Sequence, residues 1–423
     1  MAITDFNRKK KLDVEDVTDQ PTISRAVPLK ITSGDDSTTG TGEIVLDWSN
    51  ISSESDIGIY DENDNLLDYY FESFDDTVEE AVVWVFRDWV QDGSTQLQVT
   101  YGNGPSDQSV SASTVFDKES GLEAGYLFNE TSGDLLDVTS NGNDGTVHGA
   151  SQGESGIVGG AYSFDGSDDY VDIPDNFGFL DGSSSFTLIG WVDIVADPND
   201  DAGHILSFAG ENEVYFQSKN VDTGTPGLQI WTDNENVYVK GPNKKDGEGW
   251  FHAAVIYDKS ANEVRLHIDS TLVDTLDSAP NIDTRNDSST IGSRDTYNRS
   301  HHGSLDDIRI YSSVVGSKDI DGLYSATKSS PDFFSQQSAE EIILYKVSGT
   351  VEEEGSPVER TVRLYKRSSG ELVEETTSDG GTGEFAFTGM KNNDEHYVVA
   401  LDDISDETDY NALIYDRIVP KEV

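Results

Sequence analysis

Oxygen-bearing side chains recur at alternate positions in Asp137-Val138-Thr139-Ser140-Asn141-Gly142-Asn143, the way the first half of a calcium loop offers hard ligands. The position where a bidentate glutamate would complete an EF-hand holds His148, so that loop type is excluded. The same residues suit a hydrogen-bonded Asx turn, and both readings stay open. A glycosidase needs two carboxylates flanking a cleft, about 5–5.5 Å apart for retention or about 6.5–9.5 Å for inversion. With 81 Asp plus Glu in the chain, nearness in sequence identifies no such pair. Glu211-Asn212-Glu213 and Asp233-Asn234-Glu235 read as solvated turns. Neither a His-Glu-x-x-His zinc pair nor a phosphate-cradling glycine loop occurs. His301 and His302 are adjacent, so on a strand they point to opposite faces and do not chelate together. The chain is expected to bind, not to catalyse.

Such residues must be held by strands. Segments such as Glu43-Ile44-Val45-Leu46-Asp47-Trp48 and Gln96-Leu97-Gln98-Val99-Thr100-Tyr101 alternate apolar and polar residues, with Asp61-Glu62-Asn63-Asp64-Asn65 and Asp92-Gly93-Ser94 as turns between runs. A length of 423 residues exceeds one ordinary core. The pattern predicts an all-β chain of three β-sandwich domains in series: an N-terminal arm over 1–25, a small β-sandwich over 26–117, a jelly roll over 118–328, a linker over 329–346, and a β-sandwich over 347–423. A short helical turn, Ser317 to Ala326, closes the second domain. Trp84 and Trp89 read as core and rim aromatics.

Charge narrows the partners. The chain has 28 Lys plus Arg and a formal net charge of −53, so nucleic acid and anionic membranes are excluded as partners. The 17 Phe, 18 Tyr and 6 Trp argue for buried cores beneath a solvated acidic coat. Self-repulsion of that coat is screened at molar salt, where the Debye length is ~3 Å, which implies a salt-loving source, a halophilic archaeon or its virus. No cysteine is present, so disulfides and thiolate metal sites are excluded. The basic run Arg8 to Lys11 is followed by no apolar stretch, and no signal peptide or membrane span is expected.

Four phrases in the first domain, Asp56-Ile57-Gly58-Ile59-Tyr60-Asp61, Leu67-Asp68-Tyr69-Tyr70, Val82-Val83-Trp84-Val85 and Tyr101-Gly102-Asn103, resemble a family of uncharacterised β-domains. The second domain carries Ala124-Gly125-Tyr126-Leu127-Phe128, the Asp137–Thr146 loop, Ala161-Tyr162-Ser163-Phe164-Asp165-Gly166-Ser167-Asp168-Asp169-Tyr170-Val171, Phe186-Thr187-Leu188-Ile189-Gly190-Trp191-Val192, Trp250-Phe251-His252-Ala253-Ala254-Val255 and Gly303-Ser304-Leu305-Asp306-Asp307-Ile308-Arg309-Ile310-Tyr311. This ordered set resembles the laminin-G-like, concanavalin-A-like jelly roll over about half the chain. Phe164, Trp191, Val255, Ile308 and Ile310 are expected to point inward. The third domain, from Val347-Ser348-Gly349-Thr350-Val351 through Gly383-Glu384-Phe385-Ala386-Phe387, resembles the carboxypeptidase-regulatory-like, transthyretin-like sandwich, and its end looks like modules of tailed-virus structural proteins.

The laminin-G resemblance implies Ca2+ at a sheet rim, with Asp137, Asn141 and Asn143 as ligands beside the Asx-turn alternative. It also implies sugar stacking on a rim aromatic. Trp231, Tyr238 and Tyr297 lie in Asn/Asp-rich stretches and are the candidates, with packing as their alternative role. Asp168, Asp169, Asp306 and Asp307 are expected to bond backbone or Arg309 or to stay exposed. Taken together, these features imply a virion surface protein of a haloarchaeal tailed virus, assembled in the host cytoplasm. It would be a tail fibre or receptor-binding protein that attaches to host-surface glycan or S-layer glycoprotein and works as a homotrimer or other symmetric ring. The N-terminal arm would dock on other virion proteins. A capsid turret or decoration protein without a ligand is the alternative reading.

Overall fold

The computed structural model describes residues 6–422, except 15–21, 91–94, 103, 105, 175–176, 178–183, 196–202, 210–212, 220–225, 232–235, 243–247, 281, 283–287, 294–299, 329–330, 332, 343–344, 354, 391–394, 402–412 and 419. The chain is almost entirely β, as its alternating pattern predicts. No helix among the described residues is long and apolar enough to cross a membrane.

In the first sandwich, one sheet runs Ile44–Leu46, Thr22–Ser33, Glu80–Val90, Tyr69–Asp75. The other runs Gly40–Thr41, Phe334–Gln336, Arg8–Val14, Thr95–Tyr101, Ile57–Tyr60. Two expectations change here. Residues 8–14, read as part of an arm, form a strand that pairs along Thr95–Tyr101, because Leu12 and Val14, either side of Asp13, alternate into the core after the basic run. Residues 334–336 and 340–341, read as linker, pair with that same strand. Phe333 and Phe334 pack edge-on to Trp89, at 5.8 and 5.3 Å between ring centroids. The jelly roll is therefore inserted between strands of the first sandwich.

The inserted domain has a front sheet in the order Thr146–His148, Tyr170–Ile173, Ser288–Ile291, Gly203–Ala209, Glu213–Lys219, Gly227–Trp231, Asn236–Lys240. Its back sheet runs Ser151–Ser155, Gly160–Asp165, His302–Tyr311, Phe186–Ile194, Phe251–Asp258, Glu263–Ile268, Thr271–Leu276, and Leu122–Tyr126 pairs with His302–Tyr311. Phe164, Val255, Ile308 and Ile310 lie between the sheets as expected. Trp191 does not. Leu188, Val192 and Ile194 take the inward positions, and Trp191 turns outward beneath the Ser317–Thr327 helix, donating to Thr327 Oγ1 at 2.9 Å and stacking on Tyr324.

The back sheet is covered on its outer side as well. Every residue of Phe251–Asp258 is buried, since Ala253, Val255 and Tyr257 face the sandwich core while Ala254 and Ile256 face a second layer. That layer combines Ile320 and Leu323 of the helix with Ala26 and Trp84 of the first sandwich. Within it lies a charge network. Arg309 donates to both carboxylate oxygens of Asp307, at 2.8 and 3.2 Å, and to Glu119 at 3.0 Å. Glu119 also accepts from Ala26 N and Tyr311 OH. Arg25 lies 3.9 Å from Glu119 and 3.1 Å from Asp319.

The third domain forms two main sheets, Glu384–Met390, Tyr345–Thr350, Lys421–Glu422 and Leu372–Thr377, Thr361–Lys366, His396–Ala400, Leu413–Ile418. Val347, Val362, Leu364, Phe387 and Val398 are among its core residues.

Two substitutions test this architecture. Phe333→Ala is expected to cost about 3–5 kcal/mol, as removal of a packed core aromatic does, and an unchanged urea midpoint would contradict the inserted arrangement. Glu119→Ala removes an acceptor from the buried Arg309 guanidinium and the charge partner 3.9 Å from Arg25. It should cost about 3–5 kcal/mol in the same measurement.

Candidate functional site

Opposite the covered back sheet lies the outer face of the front sheet. Strand alternation assigns its residues. Val171, Leu206, Phe208, Val214, Phe216, Ile230, Val239 and Ile291 face the core, so their neighbours face outward. Cross-strand register joins six outward residues in one row: Asp172, Thr290, Ser207, Tyr215, Gln229 and Tyr238. Apart from its two tyrosine rings the row is polar. It is exposed at Asp172, covered through the centre, and half-open at Tyr238. Gln229 donates to Tyr238 OH at 3.3 Å, and the Lys240 ammonium sits 5.5 Å from the Tyr238 ring centroid. Beside the row, Gln217 and His204 are in hydrogen-bond contact at 3.0 Å, and the His204 ring meets Tyr215 edge-on.

Buried polar groups normally hydrogen-bond, and leaving one unmade costs about 1–3 kcal/mol. Ser207 is 2 % exposed, and its Oγ has no hydrogen-bond partner among the described residues. At the other end of the row, His148 stacks on Tyr170 and lies 3.2 Å from Asp172. The two ends of the row therefore present a carboxylate at Asp172 and an aromatic hydroxyl at Tyr238, groups that hydrogen-bond and stack on a polyol ring, while Thr290, Ser207, Tyr215 and Gln229 between them are buried.

The residues singled out by sequence are placed unevenly. Tyr238 stands in the row. Trp231 ends the Gly227–Trp231 strand, opposite Glu213 and Asn236, and its side chain lies outside the described residues, as does all of Tyr297. Ser207, Tyr215, Gln229 and Thr290 were not singled out, because nothing in a lone Ser, Gln or Thr marks it until register aligns it.

Asp137, Asn141 and Asn143 do come together, but through the turn's own bonds. The Asp137 carboxylate accepts from Gly125 N, Thr139 N, Thr139 Oγ1 and Asn143 N at 2.8–3.1 Å. The Asn141 and Asn143 amides both donate to Glu123 O. This is the geometry of the Asx turn. Among the described residues Asp165, Asp168 and Asp169 converge, with oxygens within 4.8 Å of one another. Burial, with Asp165 and Asp168 nearby, raises Asp169 above the usual carboxylate range, opposed by the Asp165 N–H it accepts. Asp306 accepts backbone amides and Asp307 pairs with Arg309, so three of the four family-phrase aspartates are structural and Asp168 is exposed.

His252 and His301 are buried and neutral, held down to about 3 and about 4 by desolvation. Gly149-Ala150-Ser151-Gln152-Gly153 spells a nucleophile-elbow pattern, but Ser151 opens an edge strand paired to Ser163, not the strand-to-helix turn that such chemistry requires.

Residues 165–321 match the family model of the concanavalin A-like lectin/glucanases superfamily, and this segment is a concanavalin A-like jelly roll. Residues 53–142 match a domain of unknown function, a match that crosses the join between the first two domains. No curated protein matches the chain. Among solved structures, domain 4 of AbnA, a GH43 extracellular arabinanase from Geobacillus stearothermophilus in complex with arabinotriose, is 20% identical. That match covers 49% of this chain and 99% of that one, with a TM-score of 0.40. The binding domain of Paraclostridial Mosquitocidal Protein 1 is 12% identical over 66% of this chain and 75% of its own, with a TM-score of 0.41. The CBM40 of Ruminococcus gnavus IT-sialidase, bound to alpha2,3 sialyllactose, is 14% identical over 39% and 96%, with a TM-score of 0.32.

Replacing Ser207 with Ala removes the hydroxyl without a partner and is expected to leave stability unchanged or raise it by up to about 1 kcal/mol. A loss of several kcal/mol in urea denaturation would show that the group is bonded.

Proposed function

We propose that this chain is a glycan-binding attachment protein that presents the front sheet of its jelly roll to a cell-surface polysaccharide or glycoprotein, and that it binds the sugar without cleaving it. The observation that carries this reading is the register-aligned row from Asp172 to Tyr238, on the sheet face opposite the layer formed with the first sandwich and the helix, accessible at its Asp172 and Tyr238 ends and buried at Thr290, Ser207, Tyr215 and Gln229. The match to a superfamily of lectins and glucanases supports it. A single carboxylate in the row favours binding over hydrolysis, which uses two.

We further propose that the protein is carried on the virion surface of a tailed virus of a halophilic archaeon, as a receptor-binding or fibre protein, with S-layer glycan as target and avidity from a homo-oligomer. The −53 charge supports a high-salt setting.

Purified protein in molar KCl is expected to adsorb to host envelopes and to be competed off by released envelope glycan. Tyr238→Ala should weaken binding about tenfold, equivalent to about 1.4 kcal/mol, with no change in melting temperature. Adsorption that glycan does not compete, or that Tyr238→Ala leaves intact, would remove the front sheet from the function. Dilution from molar KCl to 0.1 M should lower the melting temperature, as unscreened repulsion requires, and a salt-independent value would sink the halophilic assignment.

A further inference from the structure

The join between the first sandwich and the jelly roll contains three ionisable groups that the Arg309 network does not use. Lys30, on Thr22–Ser33, reaches across the join, and its ammonium donates to three carbonyls: Ile157 O at 2.6 Å, Thr327 O at 2.7 Å and Lys328 O at 3.0 Å. Asp306, on the back sheet, is 0 % exposed. Its Oδ2 accepts from Ile157 N and Val158 N, both at 2.8 Å, and its Oδ1 has no hydrogen-bond partner among the described residues. Glu72, on Tyr69–Asp75 of the first sandwich, accepts from the Trp84 indole N–H and lies against Gly159 of the jelly roll. Among the described residues neither Glu72 nor Asp306 forms an ion pair, since Arg309 is taken by Asp307 and Glu119 and Arg25 by Glu119 and Asp319.

We propose that this join is a proton-operated latch, closed while Glu72 and Asp306 carry protons and released as they ionise, so that rising pH frees the jelly roll to move on its two connections to the first sandwich.

The chemistry is that of a buried carboxyl, Asp306, and a half-buried one, Glu72, neither held in an ion pair among the described residues, for which desolvation disfavours the charged form. Burial pushes Glu72 up to about 8, opposed by its Asn129 and Trp84 hydrogen bonds and reinforced by Asp307. Burial also holds Asp306 well above the usual range, against the Ile157 and Val158 amides and with Glu72 and Asp307 adding to it. The charged groups facing them are Lys30 on the neighbouring strand, Asp307 beside Asp306 on the back sheet, and Glu43 near Lys30. Desolvation lowers Lys30 to about 8.

Both carboxyls are raised in the closed form, so the closed form binds more protons than the open one. Their contribution is whole below the ordinary carboxylate range and is lost as pH rises, for Glu72 as it climbs through about 8 and for Asp306 well above the ordinary range. Lys30 acts in the opposite sense, but only between about 8 and its ordinary value. The opening equilibrium should therefore rise by up to about tenfold per pH unit between pH 6 and 8 through Glu72, with Asp306 adding in the same direction.

The chain has no cysteine, which permits a direct test in the full protein. Val78 and Glu154 line opposite sides of the cleft of about 590 Å³ at this join. Val78→Cys and Glu154→Cys, spin-labelled in molar KCl, should give one narrow distance by double electron–electron resonance at pH 6 and a broad, longer distribution at pH 9. Adding Glu72→Gln and Asp306→Asn should keep the distribution narrow at pH 9, and Glu72→Gln alone should shift the transition upward. Identical distributions at the two pH values in the labelled parent would overturn the latch. A pH response that survives both substitutions, or loss of circular dichroism at pH 9 before the distance changes, would do the same.

Discussion

The organisation of the first two domains rests on Arg309 and the acceptors around it. A buried guanidinium is tolerated only where its charge is matched and its donors are used. Here Asp307 takes it in bidentate fashion, Glu119 takes a third contact, and the ring of Trp84 lies 4.9 Å away. Those partners come from the back sheet, the segment entering the jelly roll, and the first sandwich. Satisfying one side chain therefore fixes how two domains meet.

That geometry depends on a local irregularity. In Leu305-Asp306-Asp307-Ile308-Arg309-Ile310, both Leu305 and Ile308 face the core although they are three residues apart. The register against Phe186–Ile194 shifts between Ile189 and Trp191, and Asp307 adopts φ of 42°, a left-handed conformation uncommon outside glycine. The bulge brings Asp306 and Asp307 both to the interface side. Asp307 becomes the partner of Arg309, and Asp306 becomes the buried acceptor under Ile157 and Val158.

Covering the back sheet in this way has a functional consequence. Sealing the back sheet leaves the accessible ends of the front-sheet row, at Asp172 and Tyr238, as its surface groups. The front-sheet row is aligned by strand register from Asp172 through Tyr238, so its groups are positioned by the scaffold. Because the strands 334–336 and 340–341 close the first sandwich only after the jelly roll has been made, the inserted domain is tied at both ends to the same sheet.

Much of this was legible in the residues. The strands, the jelly-roll phrases, the closing helix over 317–326 and the acidic coat all follow from local alternation, turn residues and composition, which act over a few positions. What local pattern does not contain is which distant strand a segment joins. The basic stretch at 8–14 and the Phe333-Phe334 segment read as arm and linker because their partners are far away in sequence, and only the assembled sheet gives them a core to enter. Trp191 reads as inward until neighbouring residues occupy that side. The Asp137 loop carries the oxygen pattern of a cation site, and only the tertiary structure shows its bonds to Gly125 and Glu123. Ser207, Tyr215, Gln229 and Thr290 become a row only through register. Composition and periodicity thus determined the kind of layers this chain makes, while tertiary structure alone decided which faces meet, because pairing and burial are properties of residues brought together from opposite ends of the chain.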